Sequence, residues 1–479
     1  MNNSQDAAIV WFRQDLRIDD NPALHEAVKK HHLIYPIFIL DDADAGEWCL
    51  GEASRWWLHH SLTRLDQSLL SNLSYFIGPP EDIFKNLLSD HEFSAVYANH
   101  CFEPWRIAQE QSIQRLLEDR KKDLILSTGN LLVNPNRVYK DDGTPYKVFT
   151  PFYRKGCLKY RDEFKQTLSA PDLTSIDLSK LNDNPLSMLE LVPTISWYED
   201  IEKQWKPGEE GAKEALAVFI DRGVNNYKES RNFPSIEGVS RLSPHLHFGE
   251  ISPKYIYSKV VNSIMDAEDD KNIDHFFSEI GWREFSNNLL FHNPDLPKKN
   301  LNKKFDIFPW QQNQNYFEAW TKGNTGIPFV DAGMRELWQT GYMHNRVRMV
   351  VGSFLVKNLL LDWRLGERWF WDTLLDADLA NNSASWQWVA GCGADAAPYF
   401  RIFNPVTQGI KFDPEGTYIK KFIPELKNLD PPYLFSPWET DTEILKDANI
   451  TLGIDYPYPI IDLKASRESA LEAFQATKN

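Results

Sequence analysis

The segment from Ala7 to Thr128 alternates short apolar runs with longer amphipathic stretches, and this alternation constrains the fold more than any other feature of the chain. Short β-branched runs are typical of buried parallel strands, and stretches with a period near 3.6 are typical of covering helices. The segment therefore predicts a doubly wound parallel sheet. The strand-like runs are AAIVWF, LIYPIFIL, LSYFI, SAVYAN and DLILST, and the helix-like stretches are 22–31, 52–71, 81–90 and 104–120.

The second half of the chain has a different pattern. From about Gly208 the apolar residues recur with helical spacing almost throughout, which predicts an all-α domain. Residues 131–205 are rich in Pro, Asn, Asp and Ser, which is typical of a linker. We therefore expect an α/β domain over 1–130, a linker over 131–205 and a helical domain over 206–479. The expected helices are 209–222, 252–265, 273–291, 328–340, 342–361, 366–376 and 464–476.

Composition narrows the class of protein. Apolar residues make up 42% of the 479 positions and charged residues 25%, which fits a globular protein and neither a disordered nor a membrane one. The N-terminus resembles no export signal, so we expect a cytoplasmic protein, associated with the nucleoid if the source is bacterial. The cysteines have no paired or metal-type spacing, so we expect no disulfide framework and no metal site. They are Cys49, Cys101, Cys157 and Cys392.

The formal charge of -16 argues against a general nucleic-acid binder, because phosphate neutralisation needs a positive surface. The stretch from His275 to Leu426 is nevertheless neutral, with 16 basic and 16 acidic residues, and it holds nine of the 17 tryptophans. This stretch could therefore meet a polyanion on one face. Its basic clusters include Lys298, Lys299, Lys303 and Lys304.

The first predicted strand does not lead into a dinucleotide-binding loop. It runs into Phe12-Arg13-Gln14-Asp15, where a G-x-G-x-x-G sequence would be needed to approach a pyrophosphate. A flavin or nicotinamide would therefore bind elsewhere in the chain.

The expected helix 342–361 is too apolar for one exposed face, yet it carries two arginines within about a turn. An unpaired buried charge is expensive, so these arginines need an anion or a water-filled cavity, unless both guanidiniums reach solvent at the helix start. Asp376 and Asp378 are candidate partners. The residues grouped at the helix start are Asn345, Arg346, Arg348 and Met349.

The segment HFFSEIGWREF places Glu279, Trp282 and Arg283 at i, i+3 and i+4, on one helical face. The carboxylate could hydrogen-bond a ligand on which the indole stacks. Alternatively, Glu279 and Arg283 form a solvated ion pair and Trp282 belongs to the core.

Two further segments have a composition that suits a ligand. NNSASWQW, residues 381–388, is too rich in Asn and Ser for a core helix, and it carries Trp386 and Trp388. SRLS, residues 240–243, offers hydroxyls and backbone N–H groups of the kind that hold phosphates, although serines before helices are often simple caps.

Taken together, these segments resemble the photolyase and cryptochrome family, and among its members the class I cyclobutane pyrimidine dimer photolyases most of all. The similar stretches are long, and they follow the order and spacing of the family from end to end. They are VWFRQDLRIDDNPAL, TGYMHNRVRM, DWRLGERWF, DLANNSASWQW, GADAAPYFRIFNPVTQG and IKKFIPEL.

The resemblance implies an FAD held in the helical domain. Ser240, Leu242 and Ser243 would hold the pyrophosphate, Arg348 would pair with Asp376 beside the isoalloxazine, and Asn382 would face flavin N5. Asp378 would bind the ring edge. The full set of implied cofactor-binding residues is Tyr227, Ser240, Leu242, Ser243, Arg283, Asn345, Arg348, Asp376, Asp378 and Asn382.

The resemblance also implies a reaction: excited, fully reduced FAD donates an electron to a pyrimidine dimer flipped out of DNA, the cyclobutane ring splits, and the electron returns. Glu279 would hydrogen-bond the dimer, which would stack between Trp282 and Trp388. Trp386, Trp363 and Trp310 match the family's electron relay to the surface. The implied substrate contacts are Arg231, Glu279, Trp282, Asn345, Arg346, Met349 and Trp388.

The expected enzyme is a deoxyribodipyrimidine photo-lyase, a carbon–carbon lyase that acts as a monomer on single- or double-stranded DNA. A blue-light receptor without repair activity is the alternative, while an electron-transfer flavoenzyme would lack a nicotinamide motif. His344 is followed by Asn345, whereas members that repair (6-4) photoproducts carry two adjacent histidines there. A second antenna chromophore of folate or deazaflavin type is expected. Lys298 matches a folate contact. However, Arg106 stands where folate-binding members carry Glu, and Cys101 stands where deazaflavin-binding members carry Asp, so neither pattern is matched.

Overall fold

The computed structural model describes residues 7–264, 270–396 and 400–477. The chain forms two compact units, each built from several stretches of sequence. The first, here called the sheet unit, comprises Met1–Arg222, Ser240–Pro294 and Leu375–Asp378. The second, the helical unit, comprises Gly223–Val239, Asp295–Leu374 and Leu379–Asn479. The expected domain borders at residues 130 and 206 are therefore not the borders of the compact units.

The sheet unit contains the predicted parallel sheet. Five strands pair in the order β3-β2-β1-β4-β5, every pair is parallel, and a short β6 also pairs with β2. The order reverses between β1 and β4, as in other doubly wound sheets. The strands are β1 (Ala7–Phe12), β2 (Leu33–Leu40), β3 (Ser74–Ile77), β4 (Ala95–Asn99), β5 (Asp123–Ser127) and β6 (Asp177–Leu178).

Helices cover this sheet, which explains why its central strand β1 is apolar at every position. All six residues of β1 are buried, and Ile9 and Trp11 join the core with Phe84 and Ile113 from two of the covering helices. The fold class predicted for this part of the chain is confirmed. The longer helices of the unit are Pro22–Lys30, Glu52–Ser68, Pro80–Asp90, Pro104–Glu118, Glu209–Arg222, Pro253–Ser263 and Lys271–His292.

The predicted linker holds short ordered elements. Besides β6, these are Pro135–Arg137, Phe149–Pro151, the π-helical turn Phe152–Cys157, Leu158–Tyr160, Arg161–Phe164, Leu173–Ser175, Leu186–Leu189 and Glu199–Glu202. Aromatic side chains from this stretch are buried, and Phe149 stacks on Trp282 of helix Lys271–His292 with ring centroids 3.8 Å apart. The stretch predicted as a linker therefore consists of short elements whose aromatic side chains pack in the interior.

The helical unit contains the other expected helices. The longer ones are Gln314–Thr321, Pro328–Thr340, Asn345–Ser353, Trp363–Thr373, Leu379–Ala390, Pro405–Phe412, Thr417–Phe422, Thr442–Asp447 and Leu463–Ala476. Short helices Tyr227–Ser230, in this unit, and Ser243–His247, in the sheet unit, carry further candidate site residues.

Two expectations for these helices were wrong. The single helix expected over 342–361 begins at Asn345, is regular to Ser353, and continues as a π-helical turn over Phe354–Asn358. NNSASWQW, expected not to form a core helix, lies in helix Leu379–Ala390 with Asn382 and Ser383 buried. Its polar side chains are accommodated because they hydrogen-bond the neighbouring helix.

In the described part of the chain, no helix is long and apolar enough to cross a membrane. The same residues contain no cluster of three or more His, Cys, Asp or Glu side chains suited to a metal ion.

Candidate cofactor and substrate site

In the sheet unit, the SRLS segment is joined to one of the candidate carboxylates. Ser243 begins the short helix Ser243–His247, and its Oγ donates a hydrogen bond of 2.6 Å to Asp376 Oδ2. Leu242 is buried, and its N–H donates to Ser240 Oγ over a long 3.4 Å. Residues 133 positions apart in sequence thus meet, which local patterning could not show.

Arg241 stands inside this segment in an unusual conformation. Its φ is 53°, in the left-handed region that non-glycine residues rarely adopt. Its guanidinium lies 4.1 Å from the ring centroid of Trp205, a cation–π contact. The SRLS segment therefore contains a turn with a left-handed residue, and the contact of Arg241 with Trp205 holds this residue in place.

Asp378 lies near a histidine of the same short helix. His247 Nδ1 is 4.0 Å from Asp378 Oδ2, beyond hydrogen-bond distance, and it has no hydrogen-bond partner in the described residues. His247 is only 4% exposed. A buried imidazole nitrogen without a partner is costly in an isolated protein and is expected beside a ligand or an ordered water.

On helix Lys271–His292, the three residues of the Glu279 group have different environments. Glu279 and Trp282 are both half-buried, and Trp282 has one indole face against Phe149, the two rings within 9° of parallel. The guanidinium of Arg283 donates to the carbonyl oxygens of Asn130, at 2.6 Å, and Leu246, at 3.3 Å. Arg283 therefore ties the helix to the loop at Asn130 and to the short helix Ser243–His247 of the sheet unit.

Arg346 and Arg348 lie at the start of helix Asn345–Ser353, in the helical unit, and both are half-buried. Arg346 donates to Asn232 Oδ1, lies 3.7 Å from Met349 Sδ and stacks on an aromatic ring. Arg348 Nε donates to the carbonyl oxygen of Met343 over 2.6 Å. Neighbouring groups of the helical unit therefore hold both guanidiniums, and an anion or wet cavity beside them stays a prediction.

His344 caps this helix and faces that cluster of positive charge. Its Nδ1 accepts from the N–H of Arg346 at 3.2 Å, and Nε2 is buried without a partner in the described residues. Burial, followed by the charges of Arg231, Arg346 and Arg348, lowers the pKa of His344 to about 3. The imidazole is therefore neutral at physiological pH, and Nε2 carries the proton.

Asn382 is buried between two helices of the helical unit. Its Nδ2 donates to the main-chain oxygen of Glu367 over 2.9 Å, and the next residue, Ser383, donates from Oγ to Glu367 Oε1. Glu367 is 1% exposed. Sequence reasoning missed Glu367, although an Asn-Ser pair on a buried helix face signals that polar partners are needed.

The three candidate relay tryptophans all lie in the helical unit. Trp386 and Trp363 are buried, and Trp310 is half-buried. Trp363 Nε1 donates to Asn300 Oδ1 at 3.0 Å, and the indole of Trp386 packs against Phe370 with centroids 5.0 Å apart. Trp310 is therefore the most exposed of the three, and the relay itself stays a prediction.

The remaining candidates lie in the same unit. Tyr227 is buried and the Arg231 guanidinium lies 5.4 Å from its ring centroid, whereas Asn345 is exposed and Trp388 half-buried. All the predicted site residues thus fall within the described chain, eight in the sheet unit and the others in the helical unit.

Two of the antenna positions, Cys101 and Arg106, lie in the sheet unit, whereas Lys298 lies in the helical unit. Cys101 follows β4 and is buried, and burial raises the pKa of its thiol to about 12, so it stays protonated. Arg106 Nε lies 3.6 Å from Glu103 Oε2, and Glu103 is four residues beyond Asn99, the end of β4. The neutral thiol cannot replace the carboxylate of the deazaflavin pattern, which agrees with the sequence prediction.

The geometry above can be compared with known proteins. Residues 8–172 match the family model described as DNA photolyase, and residues 276–476 match the one described as the FAD binding domain of DNA photolyase. A "Deoxyribodipyrimidine photo-lyase" of Agrobacterium fabrum is 45% identical over 476 residues, 98% of each chain. The chain belongs to the photolyase and cryptochrome family.

The chain is also similar to a cryptochrome and to a photolyase of known structure. "Cryptochrome-1" of Arabidopsis thaliana is 36% identical over 97% of this chain and 70% of its own length. The crystal structure of a bacterial class III photolyase from Agrobacterium tumefaciens superposes with a TM-score of 0.92 and 42% identity, covering 99% of this chain and 98% of that one. The family is thus confirmed, whereas the nearest class expected from the sequence, class I, stays a prediction.

The residues of the site fit the FAD that the family's FAD-binding domain holds. A flavin dinucleotide offers phosphates, hydroxyls and a ring edge with donors and acceptors. Serine hydroxyls, carboxylates, a guanidinium and a buried amide are all present among the candidates, and the partnerless Nδ1 of buried His247 is of the kind a ligand satisfies.

Proposed function

We propose that this protein is a photolyase that repairs cyclobutane pyrimidine dimers in DNA under light. The observation that carries the proposal is the pair Glu279 and Trp282, one turn apart on helix Lys271–His292 and both half-buried. A carboxylate can accept a hydrogen bond from the N–H edge of a pyrimidine base, and the supported indole offers a face on which the flat base can stack. Bound FAD would supply light absorption and the electron.

The chain's own residues would bind and orient the dimer. Phe149 backs one face of Trp282, which fixes the indole as a stacking surface for a base taken out of the duplex. Glu279 would accept hydrogen bonds from N–H groups on the base edges. Arg346, held by Asn232, would contact the DNA strand. In the helical unit, Asn345, Met349 and Trp388 are the further substrate contacts of this proposal.

Lesion type follows from the cap of helix Asn345–Ser353. The imidazole of His344 is neutral and its neighbour Asn345 is an amide, so the start of this helix offers no pair of adjacent histidines for proton transfer to a (6-4) product. The amide of Asn345 is exposed and available for hydrogen bonding. We therefore assign cyclobutane dimers as the substrate.

The test is repair of an oligonucleotide containing one thymine dimer by protein whose flavin has been chemically reduced. We expect bound FAD in the purified protein, repair under near-UV or blue light, and none in the dark. Glu279→Gln and Trp282→Ala should each slow repair, whereas Glu92→Gln, an exposed change in the sheet unit, should not. Repair in the dark, or no repair by fully reduced protein in light, would contradict the proposal.

A blue-light receptor is the second candidate, favoured by the 36% identity to a plant cryptochrome. The same experiment separates the two. A receptor would bind FAD and change its absorption on illumination but would leave the dimer intact and bind damaged and undamaged DNA alike.

A further inference from the structure

We propose that Glu367 is a positioning residue, which fixes the side-chain amide of Asn382 so that its oxygen is presented to the flavin. The inference rests on the proposed function, because it takes Asn382 as the residue opposite flavin N5. It concerns two helices of the helical unit, Trp363–Thr373 and Leu379–Ala390, which pack directly against each other.

Glu367 makes two different contacts with two consecutive residues. Its main-chain oxygen accepts from Asn382 Nδ2 at 2.9 Å, and its carboxylate oxygen Oε1 accepts from Ser383 Oγ. Each of the three residues is less than a tenth exposed. One residue on the first helix therefore fixes both the position and the rotation of the Asn-Ser pair on the second.

Simple packing does not account for a carboxylate at this place. Removing a carboxylate from water is expensive, and a buried polar pair can often be replaced by apolar residues with no loss of stability. The hydrogen bond from Ser383 compensates only part of that expense. A role that needs a fixed geometry explains why an acid lies there.

The same helix pair is held at a short distance by its neighbours. Gly366, next to Glu367, lies so close to Trp386 that a Cβ atom added to it would be 2.2 Å from the indole. The helices cannot slide without opening this contact, so the Glu367 carbonyl stays opposite Asn382.

The consequence follows from the chemistry of an amide. Its nitrogen can only donate and its oxygen can only accept, so an amide whose nitrogen is engaged by Glu367 presents Oδ1 to a ligand. Reduced flavin carries a hydrogen on N5, whereas oxidised flavin has a bare, accepting N5. The orientation therefore favours the reduced form that the repair reaction needs.

The midpoint potential of bound FAD tests this inference without measuring repair. Ser383→Ala and Glu367→Leu should weaken the preference for reduced FAD about two- to tenfold, since one hydrogen bond contributes about 0.5–1.5 kcal/mol. For a two-electron couple this lowers the potential by about 10–30 mV. All variants at position 367 keep the main-chain oxygen that accepts from Asn382, so they test the hydrogen bond between Ser383 and the side chain. Glu367→Gln keeps an accepting side-chain oxygen, so it should stay close to wild type.

Two further variants calibrate the measurement. Asn382→Leu removes the amide and should therefore give the largest change in the midpoint potential of bound FAD. Ser385→Ala, a change at an exposed position of the same helix, should leave the potential unchanged. Thermal unfolding of each variant checks its fold. Because Ser383→Ala removes a single oxygen atom, it carries the test if Glu367→Leu does not fold.

The outcomes separate the two proposals. If Asn382→Leu lowers the potential while Ser383→Ala leaves it at the wild-type value, the Glu367 carboxylate does not position the amide through Ser383 and the inference is wrong. If Asn382→Leu itself has no effect, Asn382 does not face N5 and the inference fails with it. Wild-type protein that binds no FAD would instead overturn the proposed function.

Discussion

Gly366 lies directly beneath the indole of Trp386, so close that any larger residue at position 366 would collide with the ring. This contact connects helix Trp363–Thr373, which begins with Trp363, to helix Leu379–Ala390, which carries Trp386. Two of the three candidate relay residues therefore belong to one closely packed helix pair, and their indoles are held in a fixed arrangement.

Trp386→Phe is expected to block photoreduction of oxidised flavin, because phenylalanine is much harder to oxidise than tryptophan. Repair by chemically reduced protein should hardly change, since the relay and the substrate pocket use different residues. Absorption spectra under illumination and a repair assay measure the two activities. Trp56→Phe, at a buried tryptophan of the sheet unit, is the matched control and should retain both.

An equal loss of photoreduction and repair in Trp386→Phe would show that the residue is structural. Trp363→Phe and Trp310→Phe should behave like Trp386→Phe, with smaller effects towards the surface.

Trp282→Ala and Trp388→Ala should each weaken binding of dimer-containing DNA by about 1–3 kcal/mol, the contribution typical of a base stacked on an aromatic side chain. Binding of undamaged DNA should hardly change and should fall with salt, because it depends on a few phosphate contacts near Arg231 on a chain of net charge -16. Salt titrations of both DNAs give the comparison.

Similar losses on damaged and undamaged DNA would contradict the stacking role and make these indoles core or backbone-contact residues. For Trp282 a thermal unfolding curve is needed as well, because its truncation also removes the stack with Phe149.

Glu284 is expected to make the protein less stable as pH rises from about 4.5 to 7. Burial raises the pKa of Glu284 to about 7, and Oε1 has no hydrogen-bond partner in the described residues. Within this window the unfolded chain has lost the proton that the folded chain keeps, so stability falls by about 3 kcal/mol and then levels off.

Urea unfolding at pH 5 and pH 8 checks this. Glu284→Gln keeps an acceptor for the Val133 N–H and cannot ionise, so its advantage over wild type should be larger at pH 8. Glu92→Gln, at an exposed site, should show the same difference from wild type at both pH values. A gain for Glu284→Gln that does not depend on pH would exclude the titration.

His344 should give the opposite dependence at acid pH. Its folded pKa of about 3 lies below the ordinary value of 6.5, so the unfolded chain binds the extra proton first and stability falls as pH drops through this window. The slope is about 1.4 kcal/mol per pH unit. His344→Asn, which keeps an acceptor for the Arg346 N–H, should flatten it, whereas exposed His32→Asn should not.

Much of the fold could be predicted because local patterns encode it. The five main strands and most helices follow from apolar periodicity, which the sheet and the helix faces impose on the sequence itself. That Glu279 and Trp282 share one helix could be predicted because spacing along a helix is a local property. The helix start at Asn345 was placed too early, since a helix cap and a π-helical turn depend on neighbouring elements.

The sequence by itself determined the element types, the family and the identity of the candidate residues, because each of these is written in short-range order along the chain. Only the tertiary structure decided which of them meet. The Ser243–Asp376 hydrogen bond, the Phe149–Trp282 stack and the contact of Glu367 with Asn382 join residues from separate elements. Such contacts depend on how helices pack, and packing energy arises between side chains that no local pattern relates.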